Sequence, residues 1–233
     1  MKALGKIFLC FLTFCVIVVG GRQVNAAPLS ETYWYDDPGE GGAYTINYHL
    51  GKMGYEKQIY CNSGAYYVRS RMDQDAVLAY VGHGSPGVLE CTSSNYYLSA
   101  YNVPSDPYNY SLEYKFAGTT NKLKNIRFAY YGACYSDAYS STYGRLTTYT
   151  TNTLNALTAL GFYDAIDNTV ATYFEERLFA WLDTTISVQA ARDNALNDCY
   201  TRFGSTIVFY SNIWTANITG DVTTELEPAA YGQ

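Results

Sequence analysis

The chain has 233 residues, enough for one full-sized domain with a substantial buried core or at most two small ones. Charged residues make up 15% of it and the net charge is -6, which excludes the basic face that nucleic acid requires. The 26 tyrosines suit half-buried sheet faces, binding surfaces and cell-envelope surroundings about equally well.

Residues 1–26 read as a signal peptide. "MKALGK" supplies a positive start, "IFLCFLTFCVIVVGG" an apolar stretch, and "VNA" the small residues of a cleavage site between Ala26 and Ala27. The apolar run is short for a membrane-spanning helix, and Cys15 lacks the small residue that a lipoprotein leader places before its cysteine. The expectation is an exported chain, secreted or at the cell envelope, with no retained membrane anchor. Residues 27–233 then form a single domain.

After a flexible "PGEGG" loop, Ala43, Ile46, Leu50 and Met53 fall at helical spacing and Gly54 is the stop. "DAVLAYVG", from Asp75 to Gly82, is apolar on both faces of the pleat, as a strand covered on both sides must be. "NIRFAYYGA", from Asn125 to Ala133, reads the same way. The tyrosine-rich stretch between them, Cys91 to Lys124, lacks periodicity and holds Pro104 and Pro107, so it reads as a crossover with an excursion. Downstream, "TTNTLNALTALG" is expected to be helical up to Gly161, and "FYDAIDNTVA" a strand and turn. Residues 172–204 should hold one or two helices, "TIVFY" from Thr206 to Tyr210 a last strand, and the tail is irregular. Strands alternating with helices predict a three-layer α/β/α sandwich with a mostly parallel central sheet.

Cys10 and Cys15 belong to the leader, which leaves Cys61, Cys91, Cys134 and Cys199. Cys61 and Cys91 have loop-like surroundings and are the candidates for a disulfide in an oxidising compartment. Cys199 shares a helical face with Val188, Ala191 and Ala195 and reads as core. No CxxC spacing occurs, and His49 and His83 form no cluster with a cysteine, so no metal site is expected.

In parallel sheets, catalytic groups gather at the carboxyl ends of the strands. His83 ends one expected strand and Cys134 the other. A thiolate is a nucleophile, and a nearby imidazole can take its proton and later protonate a leaving amine. Acyl transfer also needs donors aimed at a developing oxyanion, for which the Gly84 and Cys134 amides are candidates. Taken singly, such a histidine is more often a surface or capping residue, and such a cysteine a small buried hydrophobe. Their joint placement favours the catalytic pair. The papain order, cysteine well before histidine, is not met, and no histidine follows His83 to complete a serine triad.

"AYVGHGS" followed by "FAYYGACYS" resembles the clan CD cysteine peptidases, which include caspases, legumains, gingipains and clostripain. In that pattern an apolar strand ends in His-Gly and a second ends in Ala-Cys or Gly-Cys. Cys134 lies 51 residues after His83, similar to the caspase spacing of roughly 50. The resemblance implies a caspase-hemoglobinase fold, Cys134 as nucleophile, His83 as catalytic histidine, a protein or peptide substrate and no cofactor, although some relatives carry a structural calcium ion. A monomer is expected. Tyr135 and Ser136 stand where caspases carry Arg-Gly, so aspartate specificity is not implied. Asp137 could recruit a basic side chain, although an acid just after a nucleophile more often caps the following helix. The alternative is an exported binding or surface-interaction protein that keeps the fold without the activity, a reading supported by the tyrosines and by the absence of an identifiable acid to orient His83.

Overall fold

The structure, a computed structural model, describes residues 27–91, 96–119 and 122–226; the expected leader lies outside them. Among these residues a six-stranded sheet runs β2-β1-β3-β8-β9-β10. Its strands are β1 (Leu29–Trp34), β2 (Glu56–Cys61), β3 (Val77–Val81), β8 (Phe128–Gly132), β9 (Thr158–Phe162) and β10 (Ala216–Gly220). All neighbours are parallel except β10, which closes one edge antiparallel to β9. Strands β4 (Gly84–Ser85), β5 (Val88–Glu90), β6 (Tyr97–Ser99) and β7 (Asn109–Ser111) form a small second sheet inside the β3 to β8 crossover. The expected excursion is therefore this sheet.

Both central strands are buried along their whole length, which explains their unbroken apolar sequences. Val77, Ala79, Val81, Phe128 and Tyr130 face a core shared with α1 (Asp37–Lys52), α5 (Asn168–Leu182) and α6 (Val188–Tyr210). Leu78, Tyr80, Ala129 and Tyr131 face the other core, built from α2 (Ala65–Arg71), α3 (Leu112–Lys115), α4 (Leu146–Thr148) and the small sheet. The period-two alternation of a strand thus divides one sequence between two cores, and the three-layer sandwich follows.

Several expectations are corrected. The "PGEGG" segment is not a loop but lies within α1, which begins at Asp37. Residues 150–161 are not helical to Gly161: a short π-helical turn, Tyr149–Thr153, precedes β9. "TIVFY" is the end of α6, held there because Val208 is buried, and the last strand is β10 in the segment expected to be irregular. The Cys61–Cys91 disulfide is absent: Cys61 is exposed at the end of the edge strand β2, whereas Cys91 is buried in the core beneath the small sheet, and both are free thiols.

At the opposite end of the sheet from the expected site, Asp75 is fully buried and neither carboxyl oxygen has a hydrogen-bond partner. Burial, then the nearby Glu31 carboxylate, push its carboxyl up to about 9; Arg71 and Lys115 oppose this and Asp73 adds to it. The unfolded carboxyl ionises near 4. Between those values the folded chain holds a proton that the unfolded chain has released, so folding stability falls as pH rises through this window. We predict that Asp75→Asn removes this decline, making the variant more stable than the parent at pH 9 by an amount on the order of a few kcal/mol, read from urea unfolding at pH 5 and pH 9. An unchanged pH dependence would contradict the assignment.

Candidate active site

The pairing of β3 with β8 sets Val81 opposite Gly132, so the chain leaves both strands at the same level of one sheet edge. Two residues beyond each lie His83 and Cys134, and both line one small cavity of about 20 Å³ with Gly82, Ile166, Asn168 and Glu175. That volume holds little more than a water molecule.

The histidine turn is fixed from beneath. The His83 carbonyl accepts from the Tyr80 hydroxyl (3.1 Å) and from the Glu90 N–H (3.0 Å). The second of these bonds makes Gly84 and Leu89 a non-hydrogen-bonded antiparallel pair, so the ladder of the small sheet does not use the Gly84 N–H. The imidazole, about half exposed, lies edge-on to Tyr35 with ring centroids 6.0 Å apart. Its Nε2 stands 3.6 Å from an Asp36 carboxylate oxygen. Asp36 follows β1 with a φ of 66°, and its N–H donates to the Asn62 side chain (3.3 Å). An acid thus stands near His83, just beyond a strand that the sequence did not reveal.

The cysteine turn is fastened to the end of β9. Tyr135 N–H donates to the Asp164 carbonyl (3.1 Å), Asp137 N–H to the Phe162 carbonyl (2.9 Å), and Phe162 N–H to the Ser136 hydroxyl (2.9 Å). Tyr135 adopts a left-handed φ of 57° to make this turn. The Cys134 sulfur accepts from the Ile166 N–H (3.3 Å) and faces the Ile166 carbonyl (3.8 Å).

Gly84 and Cys134 meet backbone to backbone. A Cβ on Gly84 would stand 2.6 Å from the Cys134 carbonyl oxygen and 3.0 Å from the Ala133 side chain, so only glycine fits there. Asp137, the sequence candidate for substrate selection, does not line the cavity. Its buried carboxylate is bound by Arg145 Nε (2.9 Å), Asn217 (2.8 Å) and Thr147. It ties the cysteine turn to β10 instead.

The cavity wall contributes a carboxyl that the sequence did not single out. Glu175 on α5 is buried and accepts from the Tyr130 hydroxyl (3.1 Å). Burial pushes it up to about 8, so it is largely neutral at pH 7. Its oxygens occupy the space that Cβ atoms at Gly42 and Gly132 would need, at 1.8 and 2.7 Å. Among the described residues no group of three or more His, Cys, Asp or Glu side chains could hold a metal ion, and no helix is long and apolar enough to cross a membrane.

A mostly parallel, helix-flanked sheet with histidine and cysteine at its carboxyl edge defines a mixed α/β architecture of the caspase-hemoglobinase type. Among solved structures, the chain is similar to the Arg-specific cysteine proteinase gingipain R (RgpB), with a TM-score of 0.62, 10% sequence identity, and coverage of 86% of this chain and 49% of that one. A complex of the pro- and mature domains of Porphyromonas gingivalis RgpB matches with a TM-score of 0.60 and 10% identity, over 84% of this chain and 48% of that one. The chain therefore spans about half the length of the structures it resembles, and the likeness is one of fold. No protein-family model and no curated protein matches it.

Adding one methyl at Gly84 tests the close approach. Gly84→Ala is predicted to destabilise the chain by about 1–3 kcal/mol through overpacking. Gly41→Ala, where a Cβ meets only Thr172 at 3.7 Å, should be neutral or stabilising by about 0.5–1 kcal/mol because it lies within α1. Denaturant unfolding of the two variants checks the contrast.

Proposed function

We propose that the chain is an exported cysteine endopeptidase that acts on protein or peptide substrates. The observation that carries this reading is the Val81–Gly132 register, which brings an imidazole and a thiol from distant parts of the sequence to one cavity at the carboxyl edge of the sheet. The likeness of fold to a cysteine proteinase supports it, and the leader-like residues 1–26 support export.

In this reading Cys134, as thiolate, attacks the scissile carbonyl and forms a tetrahedral intermediate. The Gly84 and Cys134 amides donate to its oxyanion. His83 gives a proton to the departing amine, leaving an acyl-enzyme, and then takes one from the water that hydrolyses it. Asp36 orients the imidazole through Nε2, which leaves Nδ1 for proton transfer. The Ile166 N–H donates to the sulfur and holds it in place. The chemistry requires no cofactor. Binding without catalysis is the second reading, favoured by the engagement of the Cys134 sulfur with Ile166 rather than with His83. Hydrogen bonds in unliganded sites commonly tighten only with substrate, which keeps the first reading ahead.

Incubation of the purified chain with a positional-scanning peptide library under reducing conditions separates the two. Cleavage after one residue type is expected, abolished by Cys134→Ala and by His83→Ala. Asp36→Asn should lower kcat by roughly tenfold with little change in KM, because a misdirected base slows chemistry more than binding. A parent that cleaves nothing, and whose Cys134 alkylates no faster than a free thiol, would establish the binding protein instead.

A further inference from the structure

Helix α6 carries an unusual surface beside the cavity. It kinks at Gly204, which has non-helical angles (φ 79°, ψ 159°), and the arm beyond the kink exposes Ile207 (52%), Phe209 (62%) and Tyr210 (78%). This arm is anchored rather than frayed: Val208 and Ile213 are fully buried and Ser211 nearly so. Phe203, Ile207 and Tyr210 line a groove of about 370 Å³ whose other wall is Asp167, Thr169 and Val170 at the start of α5. A fixed arm that exposes adjoining large apolar side chains marks a binding surface.

What the groove adjoins indicates what fills it. Asn168, Ala171 and Thr172, at helical spacing i, i+3, i+4, line the cavity of His83 and Cys134, while Thr169 and Val170 line the groove. The first turn of α5 is thus the wall between the two, with one site on each side. We propose that the groove is a subsite for an apolar side chain of the peptide substrate. The inference rests on the peptidase reading above and goes beyond it by assigning a second point of recognition. A helix with its side chains is about 10 Å across, and extended chain advances about 3.3 Å per residue, so the docked side chain lies about three residues from the scissile bond. Asp167 does not charge the groove without compensation, because its carboxylate caps α5 by accepting from the Thr169 and Val170 N–H groups (2.9 and 3.1 Å).

The test is a set of quenched fluorescent peptides, cleaved by the parent chain, in which Leu, Phe or Ser occupies each position up to four residues on either side of the scissile bond. We expect one position near the third residue to prefer Leu or Phe over Ser by about tenfold in kcat/KM, carried by KM. Ile207→Ser and Tyr210→Ser, both at exposed positions, should erase that preference, and the loss should be confined to peptides long enough to reach the groove. Cleavage with no apolar preference, or with one that survives both variants, overturns the subsite while leaving the peptidase reading standing. Variants that turn a dimer into a monomer in sedimentation without altering the preference also overturn it, and assign the groove to a second copy. A parent that cleaves no peptide overturns both readings, a result that needs no groove variant.

Discussion

The parallel pairing of β3 with β8 is the constraint on which the rest of the site depends. Nothing local ties His83 to Cys134: the segment between them contains the small sheet and α3, whose folding alone would leave the two residues unrelated. Because side chains alternate across a strand, a one-residue slip of β8 against β3 would move Tyr131 into the core of α1, α5 and α6 and carry Tyr130 out of it. Burial on both faces makes that slip costly. The same burial that stabilises the sheet therefore fixes the level at which the imidazole and the thiol leave it.

Close backbone approach is the second ingredient. Gly84 lies against the Cys134 carbonyl, a Cβ on Gly39 would stand 2.7 Å from the Val81 carbonyl oxygen, and Gly42 and Gly132 make room for the Glu175 carboxyl. Glycine without a partner surface weakens helices and strands by about 0.5–1 kcal/mol relative to alanine. Here each of these absent side chains is matched by a specific neighbour. The N-terminal turns of α1 carry three glycines, of which Gly39 and Gly42 are there for this reason, and the cluster is also why that segment reads as a loop in the sequence.

What the sequence disclosed follows from the same physics. β3 and β8 were legible because two covered faces demand continuous apolar residues, and His83 and Cys134 were legible because they terminate those runs. β1 was not, because Ser30, Glu31 and Thr32 are fully buried within it; Glu31 is tolerated there through Arg71 (2.7 Å from Nε) and the Tyr33 hydroxyl. Asp36 was lost with β1, since only the register of that strand, with Trp34 opposite Val81, brings its end beside His83. "TIVFY" has the composition of a strand and forms a helix because tertiary anchoring of Val208, Ser211 and Ile213 outweighs a weak local preference. β9 was misread for the converse reason: Leu157 and Leu160 match a helical spacing that the sheet overrides, placing Leu160 inside and Leu157 outside.

The electrostatics of the cavity around the Cys134 sulfur are asymmetric. One wall presents a carboxyl, but burial keeps Glu175 largely neutral and its Tyr130 partner donates to it rather than opposing it with a charge. The other wall presents an N–H to sulfur from Ile166, one residue before the Asp167 cap of α5. An ionised Glu175 lining the same cavity would raise the cost of a second negative charge, whereas a protonated one does not. As pH rises through about 8 the wall gains that charge. Below that pH the buried carboxyl adds no charge beside the Cys134 sulfur, which meets the Ile166 N–H on its other side.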